Sequence, residues 1–182
     1  MKKGQIFILS AIVFASFILL TVYSFGNFVE SGEKTYFKNY FSNSVDQPAK
    51  AFGSGLEKNS SVIYLEKKIY NTHRFLERQT STKGIDYRGF DFAVLPYADK
   101  AMILNYGESL LRPGVKLDGS WSNLTLESKQ SKEISLPEGV SNVRVTASSL
   151  DIDKSFNFSN PRIFVWSRMR DNGETWINSQ LH

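Results

Sequence analysis

The sequence predicts an α+β protein: a long N-terminal apolar helix, a second amphipathic helix, and a C-terminal antiparallel β-sheet or β-sandwich head. Three observations predict it. No charged residue occurs from Gly4 to Val29, and all 18 acidic residues lie at Glu30 or beyond. Apolar residues then recur at helical spacing as far as Gln79. From Ile85 onward the period changes to two, with turn residues between the runs. At 182 residues, 41% hydrophobic and 22% charged, the composition is that of an ordinary globular chain, which excludes wholesale disorder.

Four segments follow: a basic leader over 1–4, an apolar helix over 5–28, an amphipathic helical region over 29–84 and a β domain over 85–182. Ile6 to Phe25 is 20 residues without a charge. As a helix it spans roughly 30 Å, the thickness of a bilayer core. Lys2 and Lys3 precede it and Glu30 and Glu33 follow it, so the positive-inside rule puts the N-terminus in the cytoplasm and residues 30–182 outside. A cleaved secretory signal needs a shorter apolar region and a small-x-small cleavage site, which Tyr23-Ser24-Phe25-Gly26 does not supply. A plain signal anchor is the simplest reading of such a run.

The leader adds something more specific. Lys2-Lys3-Gly4, then Gln5, then the apolar run, resembles a class III (prepilin-type) signal peptide, in the form found in archaeal type IV pilin precursors. The resemblance covers residues 1 to about 28. It implies cleavage between Gly4 and Gln5 by a membrane prepilin peptidase, and a mature helix that leaves the bilayer to join a filament core. Bacterial pilins usually carry glutamate at the fifth mature position, which is Leu9 here; archaeal pilins commonly lack it. The implied function is that of a structural subunit, a major or minor pilin or pseudopilin, of a type IV pilus-like surface filament. The implied partners are the membrane, the peptidase and other pilin-like subunits in a homo- or hetero-polymer. The alternative is a single-span anchored protein whose external β domain binds a surface ligand without polymerising.

Beyond the apolar run, Tyr36, Phe37, Tyr40 and Phe41 fall on one helical face, continuing the helix to about Ser44. Pro48 and Gly53-Ser54-Gly55 interrupt the pattern. A second helix runs from Ser60 or Ser61 to Gln79, with Val62, Leu65, Ile69, Thr72 and Leu76 as its buried stripe and Lys83-Gly84 as its stop. Phe90, Phe92 and Val94 then alternate with Asp91 and Ala93. Met102, Leu104 and Tyr106 repeat the alternation, as do Leu124 with Leu126, Val143 with Val145, and Phe156 with Phe158. Asp171-Asn172-Gly173 reads as the turn of a final hairpin.

Candidates for chemistry are few. There is no cysteine, hence no disulfide, thiolate zinc site or cysteine nucleophile. Net charge is +4, and removing Lys2 and Lys3 from the 22 basic residues leaves 20 scattered among 18 acids, so no nucleic-acid partner is expected. The two histidines are His73, read as a helix-surface residue, and the terminal His182. Asp151 and Asp153, with Asp118 or Glu174, have oxygen ligands for calcium, but surface turns explain them more simply. No enzyme motif, cofactor or metal site is expected. Three sequons, at Asn59, Asn123 and Asn157, are N-glycosylation candidates on the extracytoplasmic side. Trp121, Trp166 and Trp176 are read as packing residues before any sugar-binding surface.

Overall fold

The computed structural model describes residues 38–57, 60–107, 109–157 and 159–182, together with Ser16 and Ile18. Lys2, Lys3, Gly4, Gln5 and Asn59 lie outside the described residues, as do the aromatics at 36 and 37. The chain divides into two units, Met1–Asn39 and Tyr40–His182. The second contains the β structure.

Its first helix, α1 (residues 38–56), continues through Pro48 and both Gly53 and Gly55, where the sequence suggests a break. Pro48 has no N–H for the Ser44 carbonyl, so the helix gives up a bond there. Burial of Val45 and Phe52 against the sheet below outweighs that loss. Gly55 has a packing reason: a Cβ there would meet Leu65 Cδ2 at 2.2 Å, so its absence lets the two helices approach. The second helix, α2 (Val62–Ser81), is capped by Ser61, whose Oγ accepts from the Tyr64 N–H at 3.3 Å. It ends as the Ile85 N–H returns to the Thr80 carbonyl, with Gly84 at φ +76°.

Nine strands follow: β1 (Asp86–Leu95), β2 (Lys100–Tyr106), β3 (Gly114–Leu117), β4 (Ser120–Asn123), β5 (Gln130–Ser135), β6 (Asn142–Ala147), β7 (Ile152–Asn157), β8 (Arg162–Asp171) and β9 (Glu174–Leu181). They form two antiparallel sheets, ordered β5-β2-β1-β8-β9 and β4-β3-β6-β7. Phe90, Phe92, Ile103, Phe164 and Trp166 of the larger sheet pack with Val115, Val143, Val145, Ile152 and Phe156 of the smaller one. On the other face, Ala93, Leu95, Met102, Leu104, Ile163 and Val165 pack under Val45, Phe52, Leu65 and Ile69 of the helices. The order of layers is helices, five-stranded sheet, four-stranded sheet. β1 is therefore covered on both faces, and from Gly89 onward every residue of it is buried.

The α+β expectation is thereby corrected. Among the described residues the chain is mostly β, with two short helices between residues 38 and 81 and no long apolar helix. The physical reason lies in the layering. Nine strands make both sheets, and the helices supply only the cover for one face of one sheet. The apolar helix expected over 5–28 falls outside the described residues, Ser16 and Ile18 apart. Among the described residues no helix is long and apolar enough to cross a membrane. Leu124 and Leu126 also differ from expectation: β4 stops at Asn123, and Leu126 makes a single bridge to Leu111.

Candidate functional site

The helix-facing side of β1 carries Tyr87, Gly89, Asp91, Ala93 and Leu95 in strict alternation. The last two join the apolar layer, but the first three make a polar seam under α2. His73 is the hub. The sequence reading places it on the helix surface; the structure buries it completely. It stands four residues after Ile69 and three before Leu76, inside the buried arc.

His73 Nδ1 lies 2.6 Å from the Tyr87 hydroxyl, and Nε2 donates to Asp91 Oδ2 in a short contact. With the ring neutral, the Tyr87 O–H donates to Nδ1. Burial, aided by the Asp91 charge, pushes the Tyr87 phenol well above its ordinary value, which keeps that donor protonated. The imidazole is stacked between Tyr87 and Tyr106, with centroids 5.9 and 5.3 Å away. Gly89 makes room: a Cβ there would lie 2.5 Å from His73 Cε1 and Nδ1.

The seam continues outward. Tyr106 on β2 donates to Glu77 Oε2 at 2.7 Å, and Lys129 Nζ bonds the same carboxylate at 2.9 and 3.1 Å. Burial raises the Tyr106 phenol, and its bond to Glu77 adds to that. Burial also pushes the Glu77 carboxyl up, but the bonds from Lys129 and Tyr106, with the Arg74 charge, outweigh it and leave Glu77 below its ordinary value. On the other side, buried Ser44 and Ser167 share a 2.5 Å hydroxyl contact that ties α1 to β8, and Ser167 is the cross-strand partner of Gly89.

An Asp–His–Tyr chain invites comparison with acid–base machinery. Here Asp91 and His73 are wholly enclosed and Tyr87 nearly so, and no substrate atom reaches the imidazole. Among the described residues Asp91 Oδ1 has no hydrogen-bond partner. A buried carboxylate with one unsatisfied oxygen makes the His73 contact hard to lose: removing one partner of such a pair costs about 3–5 kcal/mol. The seam reads as a polar lock that orients α2 on the sheet.

The other sequence candidates lie elsewhere. Asp153 is held by Arg144, Asp118 accepts from the Ser141 and Asn142 N–H groups, and Asp151 sits at φ +54° after a 3-10 turn. Each has a local structural task, and among the described residues no group of three His, Asp or Glu could hold a metal ion. Glu174 opens β9 beyond the Asp171–Gly173 turn, and His182 exchanges backbone bonds with Ile163. Asn123 ends β4 and Asn157 ends β7, both exposed; Asn157 Oδ1 accepts from the Ser159 N–H at 3.1 Å. Trp166 is in the sandwich core, Trp121 is half-exposed on β4, and Trp176 lies on β9, so the three do not share a surface. Comparison with protein-family profiles, curated proteins and solved structures finds no match.

Proposed function

We propose that the chain is a type IV pilin-like subunit, inserted in the cytoplasmic membrane as a precursor and assembled into a surface filament. One observation carries the reading: the basic leader Lys2-Lys3 ending in Gly4-Gln5, placed directly before 20 uncharged residues. Removing the leader on the cytoplasmic side leaves an apolar segment free of charged side chains, which can pass from lipid to a bundle of its own kind. Residues 40–182 then form the outward head. Two features of the head suit that role. Its β layers are closed over large apolar cores, and two of the three sequons stand exposed at strand ends. The proposed role is structural and non-enzymatic.

Intact mass and N-terminal peptide mapping of the protein from its native membrane test this. A mature chain starting at Gln5 is expected, and Gly4→Phe is expected to leave an unprocessed precursor and no filaments. A chain still starting at Met1, or normal maturation of Gly4→Phe, would sink the reading.

A further inference from the structure

Side chains alternate across the smaller sheet. Val115 and Val143 point into the sandwich core, so Gly114 and Lys116 of β3 share the outer face with Trp121 and Asn123 of β4. β4 is an edge strand, and all four of its residues are exposed. Register sets Asn123 opposite Gly114 and Trp121 opposite Lys116. The indole leans along the sheet into the place that a Gly114 side chain would take. A Cβ there would lie 3.1 Å from Trp121 Cζ3 and 3.2 Å from Cε3. Gly114 is accordingly buried, although it faces outward.

Directly opposite side chains on antiparallel strands have Cβ atoms about 4.5–5.5 Å apart. The Trp121 ring stands where that neighbour of Asn123 is missing, so the indole flanks the Asn123 amide. Trp121 is still 49% exposed. Lys116 Nζ lies 5.8 Å from the ring centroid, at the far limit of a cation–π contact, and a larger group can displace so loose a contact. Asn123 opens the sequon Asn123-Leu124-Thr125, and Asn123 and Thr125 are both exposed. The sequon at Asn157 is built differently. Its cross-strand partner is Asn142, Ser155 precedes it on its own face, and its Oδ1 accepts from the Ser159 N–H at 3.1 Å.

A pyranose has an apolar face of C–H groups. A half-exposed indole covers such a face and leaves the sugar hydroxyls in water. We propose that Asn123 carries an N-linked glycan whose first sugar packs on Trp121. The inference rests on the reading that residues 30–182 lie outside the membrane. The donor is a lipid-phosphate-linked oligosaccharide, and a membrane oligosaccharyltransferase is the catalyst. Asn123 Nδ2 bonds to the anomeric carbon and releases one proton to solvent. The anomeric C–O bond breaks, and the lipid phosphate leaves with the electron pair. The fold supplies the seat for the sugar: Gly114 lets the ring lie low beside Asn123, and the open edge of β4 leaves room beyond it.

Peptide mapping by mass spectrometry tests it, on the full-length chain taken from native cells first treated with a membrane-impermeant lysine reagent. A glycan mass is expected on the peptide that holds Asn123, together with label on exposed head lysines such as Lys67 and Lys154. In detergent, Asn123→Gln is expected to melt about 2–4 °C below the glycosylated wild type. Its tryptophan fluorescence is expected to be quenched more by acrylamide, because the sugar no longer covers the indole. Trp121→Ala is expected to keep the glycan, and in that background Asn123→Gln is expected to leave the Tm unchanged. An equal Tm loss in both backgrounds overturns the packing on Trp121. A bare Asn123 in a chain whose head lysines are labelled overturns the inference and leaves the topology standing. Head lysines that label only after lysis overturn both.

Discussion

Gly89→Ala tests the polar seam with a single carbon. The new Cβ would stand 2.5 Å from His73 Cε1 and Nδ1 and 3.3 Å from the Tyr87 hydroxyl oxygen. The ring has nowhere to retreat: it is wholly buried, held at both nitrogens and stacked on Tyr106. Forcing a methyl into such a site costs about 1–3 kcal/mol. Displacing the ring weakens its bonds to Tyr87 and Asp91, which adds about 1–3 kcal/mol for buried groups left poorly paired. Replacing glycine by alanine in a strand returns about 0.5–1 kcal/mol of backbone entropy. The balance is a loss of about 2–4 kcal/mol, read as a lower urea midpoint with an unchanged slope. The His73→Ala background separates collision from strand effects. There the same substitution is expected to be neutral or mildly stabilising, giving a coupling energy of roughly 2–5 kcal/mol. If Gly89→Ala costs less than about 0.5 kcal/mol in the wild type, or costs the same in both backgrounds, the account of the seam is wrong.

The pH dependence follows from the same groups. Glu77 is depressed below its ordinary value of 4.5, so its contribution to stability is fully present above that pH and lost as pH falls through the lower folded value; Glu77→Gln should flatten the acid limb of a Tm–pH profile. Tyr87 and Tyr106 are raised above the ordinary 10.0, so theirs is fully present below pH 10 and lost as pH rises through the folded values. In an ultraviolet titration, two of the eight tyrosines should ionise only as the chain unfolds, and two fewer ordinary phenols in Tyr87→Phe/Tyr106→Phe than in the wild type would contradict this. At the β8–β9 turn, Asn172 and Gly173 both hold positive φ, +47° and +90°. Gly173→Ala should cost about 1–2 kcal/mol by denaturant titration, and an unchanged midpoint would show that the turn relaxes.

How much of this could be read in the residues differs between elements. α2 is written openly: Ser61 before the helix, apolar residues at three and four, Gly84 after it. The β8–β9 hairpin is equally explicit, because Asn-Gly suits the two positive φ values. α1 is obscured, because Pro48 and two glycines argue locally against a helix that burial of Val45 and Phe52 maintains. The seam is obscured for a different reason. The alternation around Asp91 reads as one buried and one wet face, but β1 is covered twice, so its polar residues are buried too. The spacing of His73 with Ile69 and Leu76 carries the signal that it turns inward; only the strand beneath supplies its partners. The lean of Trp121 toward Asn123 was beyond reach, since only register sets Gly114, with no side chain, opposite Asn123.

That long-range register shapes how the molecule can be made. β1 joins β2 across a few residues, but its other neighbour, β8, arrives after the whole of the four-stranded sheet and β5 have been laid down. A chain emerging N-terminus first therefore holds the centre of its main sheet half-paired, with the apolar face of β1 beside an open edge. The last 21 residues, from Arg162 to His182, close it. Pairing across so long a loop is slow and leaves that edge open to misassociation. The C-terminal hairpin is the closing piece of the fold, and a chain cut short before Arg162 would be left with an unpaired edge at its core strand.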